Sequence, residues 1–238
     1  LLESYSDNEA EIDNFICGLR GEFIEQGDGG DIIRSPEILP TGRNLTQFDP
    51  TRIPTENAFK RGEEIARNTL SEHLERNGCH PESIGTVLWG FETTKTGGET
   101  VGQILSYLGV RIERSRGTWS PKLSVVPLDV LGRPRIDCLV NICGFFRDMF
   151  PNLLELLDQA FDLVAGLDEP LELNYIRKHS MENLEHLKDK GLDPKTTRKM
   201  ANGRIFGPQA GEYGTRILPL IEDSIWKTED ELAEVFIQ

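Results

Sequence analysis

The feature that most constrains this chain is an alternation between residues 84 and 164, in which short β-rich apolar runs give way to helix-period runs closed by glycine. Ile84-Gly85-Thr86-Val87-Leu88-Trp89-Gly90 reads as a buried strand. Val101, Ile104, Leu105 and Leu108 recur at i, i+3, i+4 and i+7 and predict a helix that Gly109 ends. Val110 to Arg114 restarts as a strand, and Leu123 to Leu128 is extended. Ile136 to Cys143 is short, apolar and β-rich enough for a central parallel strand. Leu153, Leu154, Leu157, Phe161 and Val164 mark the next helix, which Pro151 allows only from its first turn. Strands alternating with helices predict an α/β fold: an open, mostly parallel, Rossmann-like sheet with flanking helices and long Gly/Pro-rich loops.

The flanks divide the chain into three expected regions. Residues 1–78 carry N-terminal helices and an irregular segment, 79–170 the sheet domain, and 171–238 a helical and loop-rich extension. Asn8 to Phe23 shows a short helical pattern, and the Gly, Pro, Asp and Arg text from Gly27 to Pro54 is a functional loop or a linker. Thr55 is placed to cap a helix that runs to about Asn77 and stops at Gly78. Thr228 and Glu231 have capping-box spacing before a last helix.

Charge and punctuation exclude several functions. A net charge of −14 opposes binding to a phosphate backbone, so nucleic acid is not an expected partner. Basic residues are concentrated locally at Arg111, Arg114 and Arg116 and at Arg133 and Arg135, where an anionic small ligand or plain solvation would account for them. No membrane span and no secretory signal are read, so a cytoplasmic protein is expected, its cysteines 17, 79, 138 and 143 reduced. The missing initiator methionine suggests an internal fragment. His73, His80, His179 and His186 lack metal-ligand spacing and read as surface or packing residues; no metal ligand is assigned.

Two segments leave strand ends, where open parallel sheets collect ligands. In Phe91 to Glu99 the glycines permit close backbone approach, the helix start favours anions, and Glu99 falls in the first turn. The bland reading is a tight turn with a dipole-matched glutamate. The segment lacks the second glycine of a Walker loop, so ATP chemistry would belong to a partner. In Asn141 to Phe150, Phe145, Phe146 and Phe150 offer faces to a large flat ligand, Arg147 can take a carboxylate, and Asp148 can accept a proton. Core packing of the aromatics and helix capping by Asp148 is the alternative.

Several stretches, in order, resemble the large subunit of the cobaltochelatase and magnesium chelatase family: GDGGDIIRSPEILPTGRN (27–44), FDPTRIPT (48–55), VLWGFETTKTGGETVGQILSYLGVR (87–111), LGRPRIDCLVNICGFFRDMFPNLLELLDQA (131–160), and LDEP with NYIRKH (167–179). Family members are several times longer, so the resemblance implies an internal portion, inactive when isolated. It implies a ligase that forms nitrogen–metal bonds, with the tetrapyrrole and a divalent metal ion, Co2+ or Mg2+, as substrates. No cofactor is expected to be bound by this portion, and ATP is hydrolysed by AAA+ partner subunits. The Lys95-Thr96-Gly97-Gly98-Glu99 text leans toward cobalt and a ring of the hydrogenobyrinic acid a,c-diamide type. A magnesium chelatase acting on protoporphyrin IX and a non-catalytic scaffold are the alternatives. Two pyrrole N–H protons must leave as the metal enters, which makes Glu99 and Asp148 the candidate bases. Arg43, Lys95 and Arg147 are candidates to hold peripheral carboxylates, and Asn44 and Asn141 to orient the ring.

Overall fold

The computed structural model describes residues 10–29, 32–33, 36–45, 50–113, 122–212 and 217–237. Asn8, Arg114 and Arg116, named above, lie outside the described residues. The chain divides into two units, Leu1–Arg52 and Ile53–Gln238. In the first, helix α1 (Ala10–Leu19) accompanies a short parallel pair, β1 (Gln26–Gly27) with β2 (Asn44–Leu45). Gly42 holds a left-handed φ of 79° against the backbone of Glu11, where a side chain would have no room.

The second unit begins with α2 (Glu56–Asn77), and its ends follow the sequence grammar. The Thr55 hydroxyl accepts the Ala58 N–H at 3.2 Å, and Gly78 turns left-handed at φ 73° to close the helix. Then come β3 (Ser83–Leu88), α3 (Gly90–Thr96) and α4 (Glu99–Leu108). The hairpin β4 (Val110–Glu113) with β5 (Lys122–Val125) is antiparallel and stands apart from the main sheet. After α5 (Leu128–Leu131) follow β6 (Asp137–Ile142), α6 (Gly144–Met149) and α7 (Pro151–Ala165), with Pro151 in the first turn as its missing N–H requires. The extension holds α8 (Tyr175–Leu187), α9 (Pro194–Asn202), β7 (Ile205–Phe206), α10 (Ile217–Glu222) and α11 (Glu229–Ile237). Glu231 reaches back from α11 to the N–H of Lys227, one residue before the expected Thr228.

The main sheet is parallel, in the order β3-β6-β7. Alternation along β3 and β6 splits its faces. Leu88, Cys138, Val140 and Ile142 join Val101, Ile104, Leu105 and Leu108 of α4 and Leu153, Leu157 and Phe161 of α7 in the core. Each such burial stabilises by about 1.5–3 kcal/mol. The other face leaves Val87, Leu139 and Phe206 about half exposed, where parallel sheets are ordinarily covered on both sides.

Two glycines bring α2 and α4 into backbone contact. A Cβ at Gly62 would lie 2.5 Å from the Gln103 nitrogen and the Glu99 oxygen, and one at Gly102 would lie 2.9 Å from the Phe59 Cα. Helix α2, which the sequence placed with the N-terminal region, therefore packs as part of the sheet unit.

Candidate functional site

Parallel pairing delivers the ends of β3, β6 and β7 to one edge, where Trp89, Cys143 and Gly207 begin the exits. The first exit is a helix rather than the expected open loop. The Thr94 hydroxyl donates to the Gly90 carbonyl at 3.0 Å, and Phe91 stacks on Phe145 with centroids 4.4 Å apart and planes 16° off parallel. Gly90 has no room for a side chain because Phe145 lies on it. At the second exit the Cys143 sulfur accepts the Phe146 N–H at 3.4 Å and caps α6. Phe146 and Phe150 are core residues; Phe145, with Trp89 and Phe91 at 54% and 76% exposure, supplies the aromatic surface.

Arg147 Nε donates to Asp148 Oδ1 at 2.9 Å, and its Nη1 donates to the carbonyls of Pro208, at 2.8 Å, and Gln209. The guanidinium thus clips the β6 exit to the β7 exit. Asp148 keeps a partly exposed carboxylate, and Lys95 is exposed in the last turn of α3. Asn141 is half-buried, in register between Val87 and Phe206. Arg147, Asp148 and Asn141 therefore share the strand-end edge with the α3 side chains.

Glu99 faces elsewhere. Its carboxylate takes Arg61 Nη1 of α2 at 2.6 Å. The helix start expected to receive an anion is already occupied, since the Thr96 hydroxyl accepts the N–H groups of Gly98 and Glu99, each at 3.2 Å. Gly97 and Gly98 hold positive φ and back onto Thr55, Ile53 and Pro54, leaving no open cradle. Arg43 and Asn44 belong to the first unit, where the Asn44 amide donates to the Ile24 carbonyl at 3.1 Å and the Arg43 chain covers Gly27.

Sequence reading passed over two groups. Glu92 Oε1 accepts from Thr96 at 3.1 Å and Thr100 at 3.3 Å, while Oε2 is buried with no partner among the described residues. The spacing of Glu92, Thr96 and Thr100 at i, i+4 and i+8 was the available signal. The second is a network at the opposite strand ends. Arg204 Nε donates to both oxygens of buried Asp137 at 2.9 and 3.0 Å, and Asp137 holds His179 Nδ1 at 2.8 Å. His179 and His186 line one cavity of about 420 Å³ with Asn183 and Phe206, so the seven-residue spacing puts both on one face of α8. Among the described residues no group of three or more His, Cys, Asp or Glu side chains is arranged to hold a metal ion, and no helix is long and apolar enough to cross a membrane.

A CobN/Magnesium Chelatase family model matches residues 1–238. The chain is 38% identical over 233 residues to the chloroplastic magnesium-chelatase subunit ChlH of Oryza sativa subsp. indica, covering 98% of this chain and 16% of that one. It is 37% identical over 230 residues to aerobic cobaltochelatase subunit CobN of Pseudomonas aeruginosa, covering 96% and 18%. The catalytic subunit of cobaltochelatase from Mycobacterium tuberculosis has the same fold, with a TM-score of 0.80 and 37% identity over 95% of this chain and 19% of that structure. The chain thus spans under a fifth of the length of these three. A match over every residue, carried by a shared parallel-sheet fold, places the chain in the CobN/magnesium chelatase family.

Proposed function

We propose that this chain forms a tetrapyrrole-holding stretch of a cobalt-inserting chelatase subunit, in which Co2+ and the ring are substrates and separate AAA+ subunits hydrolyse ATP. The family match over the whole chain carries the reading. The strand-end edge supports it with aromatic faces at Trp89, Phe91 and Phe145 beside Lys95, Asn141, Arg147 and Asp148. The lean toward the cobalt branch comes from the Lys95-Thr96-Gly97-Gly98-Glu99 text, in which an acid follows two glycines. In this reading Asp148 accepts a pyrrole proton, Lys95 and Arg147 hold peripheral carboxylates, and Asn141 orients the ring. Glu99 serves as a second proton acceptor once Arg61 lets go of it.

A second reading for Glu99 is favoured by its ion pair: the carboxylate pins α4 to α2 and takes no part in chemistry. The test uses the assembled chelatase with Asp148→Asn and Glu99→Gln, supplied with Co2+ and hydrogenobyrinic acid a,c-diamide or with Mg2+ and protoporphyrin IX. A proton acceptor lost at Asp148 slows cobalt insertion per folded molecule by about 10²- to 10⁴-fold with ring binding intact. Under the pinning reading, Glu99→Gln costs only about 0.2–1 kcal/mol of stability. Turnover within about twofold of the parent for both variants, against the scale of a general base, removes the catalytic assignment. Insertion of magnesium alone removes the cobalt one.

A further inference from the structure

A cavity of about 440 Å³ lies away from the strand ends, between α2, the His80 loop, the start of β4 and the stretch from Val126 to Arg133. In a chain carrying −14, its wall gathers Arg67, Arg111 and Arg133 against one acid, Glu63. Arg111 Nη2 meets Glu63 Oε1 at 3.3 Å. Arg67 and Arg133 pair with no carboxylate among the described residues. Arg133 donates only to carbonyls, those of Ser106 at 2.5 Å, Pro134 at 2.9 Å and Tyr107 at 3.1 Å. Carbonyl dipoles satisfy its N–H groups but leave its charge without a counter-ion in a largely desolvated place. Its neighbour Arg135 adds no relief, because the Glu169 carboxylate already answers that guanidinium. Burial and Arg135 pull Arg133 down to about 10, which still leaves it cationic at neutral pH.

The wall also holds a polar atom that lacks a partner. His80 Nδ1 is buried without a hydrogen bond among the described residues, and burial with the nearby charge of Arg133 favours the neutral imidazole. The rest of the lining is hydrocarbon, and Leu74 and Val130 leave 40% and 69% of their surface open. An uncompensated cation, an exposed second arginine and an apolar wall match one ligand chemistry: an anionic head on a hydrocarbon body. Arginine forks suit a planar carboxylate, and the apolar wall would be wasted on a bare phosphate.

We infer that this cavity binds an organic carboxylate, its head held by Arg67 and Arg111 over Arg133 and its hydrocarbon body lying on Leu70, Leu74 and Val130. The inference does not depend on where the tetrapyrrole sits, and the test below uses no tetrapyrrole. It titrates this chain with 4-phenylbutyrate, its neutral amide 4-phenylbutyramide, or inorganic phosphate, by calorimetry and by the imidazole resonances of His80. Arg67→Gln weakens the charged grip, and Ser71→Trp fills the mouth from the exposed side of α2; both positions are exposed, which leaves the core intact. The carboxylate is expected to bind saturably and move the His80 resonances, with the amide and phosphate at least about tenfold weaker, the size of one good charge-assisted contact. Arg67→Gln is expected to lose about tenfold on the same scale, and Ser71→Trp to abolish binding. No saturable binding, equal affinity for the amide, tighter binding of phosphate, or binding unchanged in both variants each overturns the proposal.

Discussion

Arg135, Arg204 and Arg133 leave water on folding and meet that cost in different ways. Arg135 forks onto Glu169 at 2.8 and 2.9 Å and donates to the carbonyls of Leu108, Gly109 and Val126. Arg204 grips Asp137 and the Ser180 hydroxyl, while Arg133 has carbonyls alone. Burial of His80, with Arg133 and His73 nearby, lowers its proton affinity in the folded state. The unfolded chain then holds that proton more readily, so stability is full above the ordinary histidine range and falls as pH drops through about 6.5 toward the lower folded value. His80→Gln should flatten this slope in urea unfolding followed between about pH 8 and pH 5. Parallel slopes for both proteins would count against it. The sequence displayed these residues without their partners. Glu99 looked like a free helix-start acid because Arg61 lies 38 positions away, and nothing local announces such a pair.

At the scale of elements, close packing of α2 on α4 rests on Gly62 and Gly102. Alanine ordinarily gains about 0.5–1 kcal/mol over glycine inside a helix. At Gly62 the added carbon meets backbone that cannot give way, so Gly62→Ala is expected to destabilise by about 1–3 kcal/mol. Thermal unfolding of the variant checks the sign, and a raised melting temperature would mean that the helices slide apart freely. Elements with strong period and clear caps, α2, α4 and β6 among them, were legible in the sequence. Helix α3 was read as a loop because Thr93, Thr94 and Thr96 with bracketing glycines lower helix propensity; hydroxyl bonds and the Phe91–Phe145 stack override it. Strand β7 has two residues, too few to show alternation. The pairing of β4 with β5 as a separate antiparallel hairpin follows from register, which neither strand's composition specifies.

For the molecule as a whole, the fold class was readable because alternation of strand and helix admits few architectures. The strand-end edge was readable in part, as parallel strands fix which loops meet there but not which side chains turn inward. With no Walker loop in its sequence, the chain should show no change of melting temperature on addition of ATP and Mg2+, since a ligand stabilises only a native state that it binds. A saturable rise would return nucleotide chemistry to this chain. The half-exposed sheet face bearing Val87, Leu139 and Phe206 has a calorimetric consequence. Hydrocarbon already hydrated in the folded chain adds nothing to the heat capacity gained on unfolding. The stability of this chain therefore varies less steeply with temperature than that of an equal chain whose sheet is roofed on both sides, and its fold is correspondingly less prone to melt in the cold.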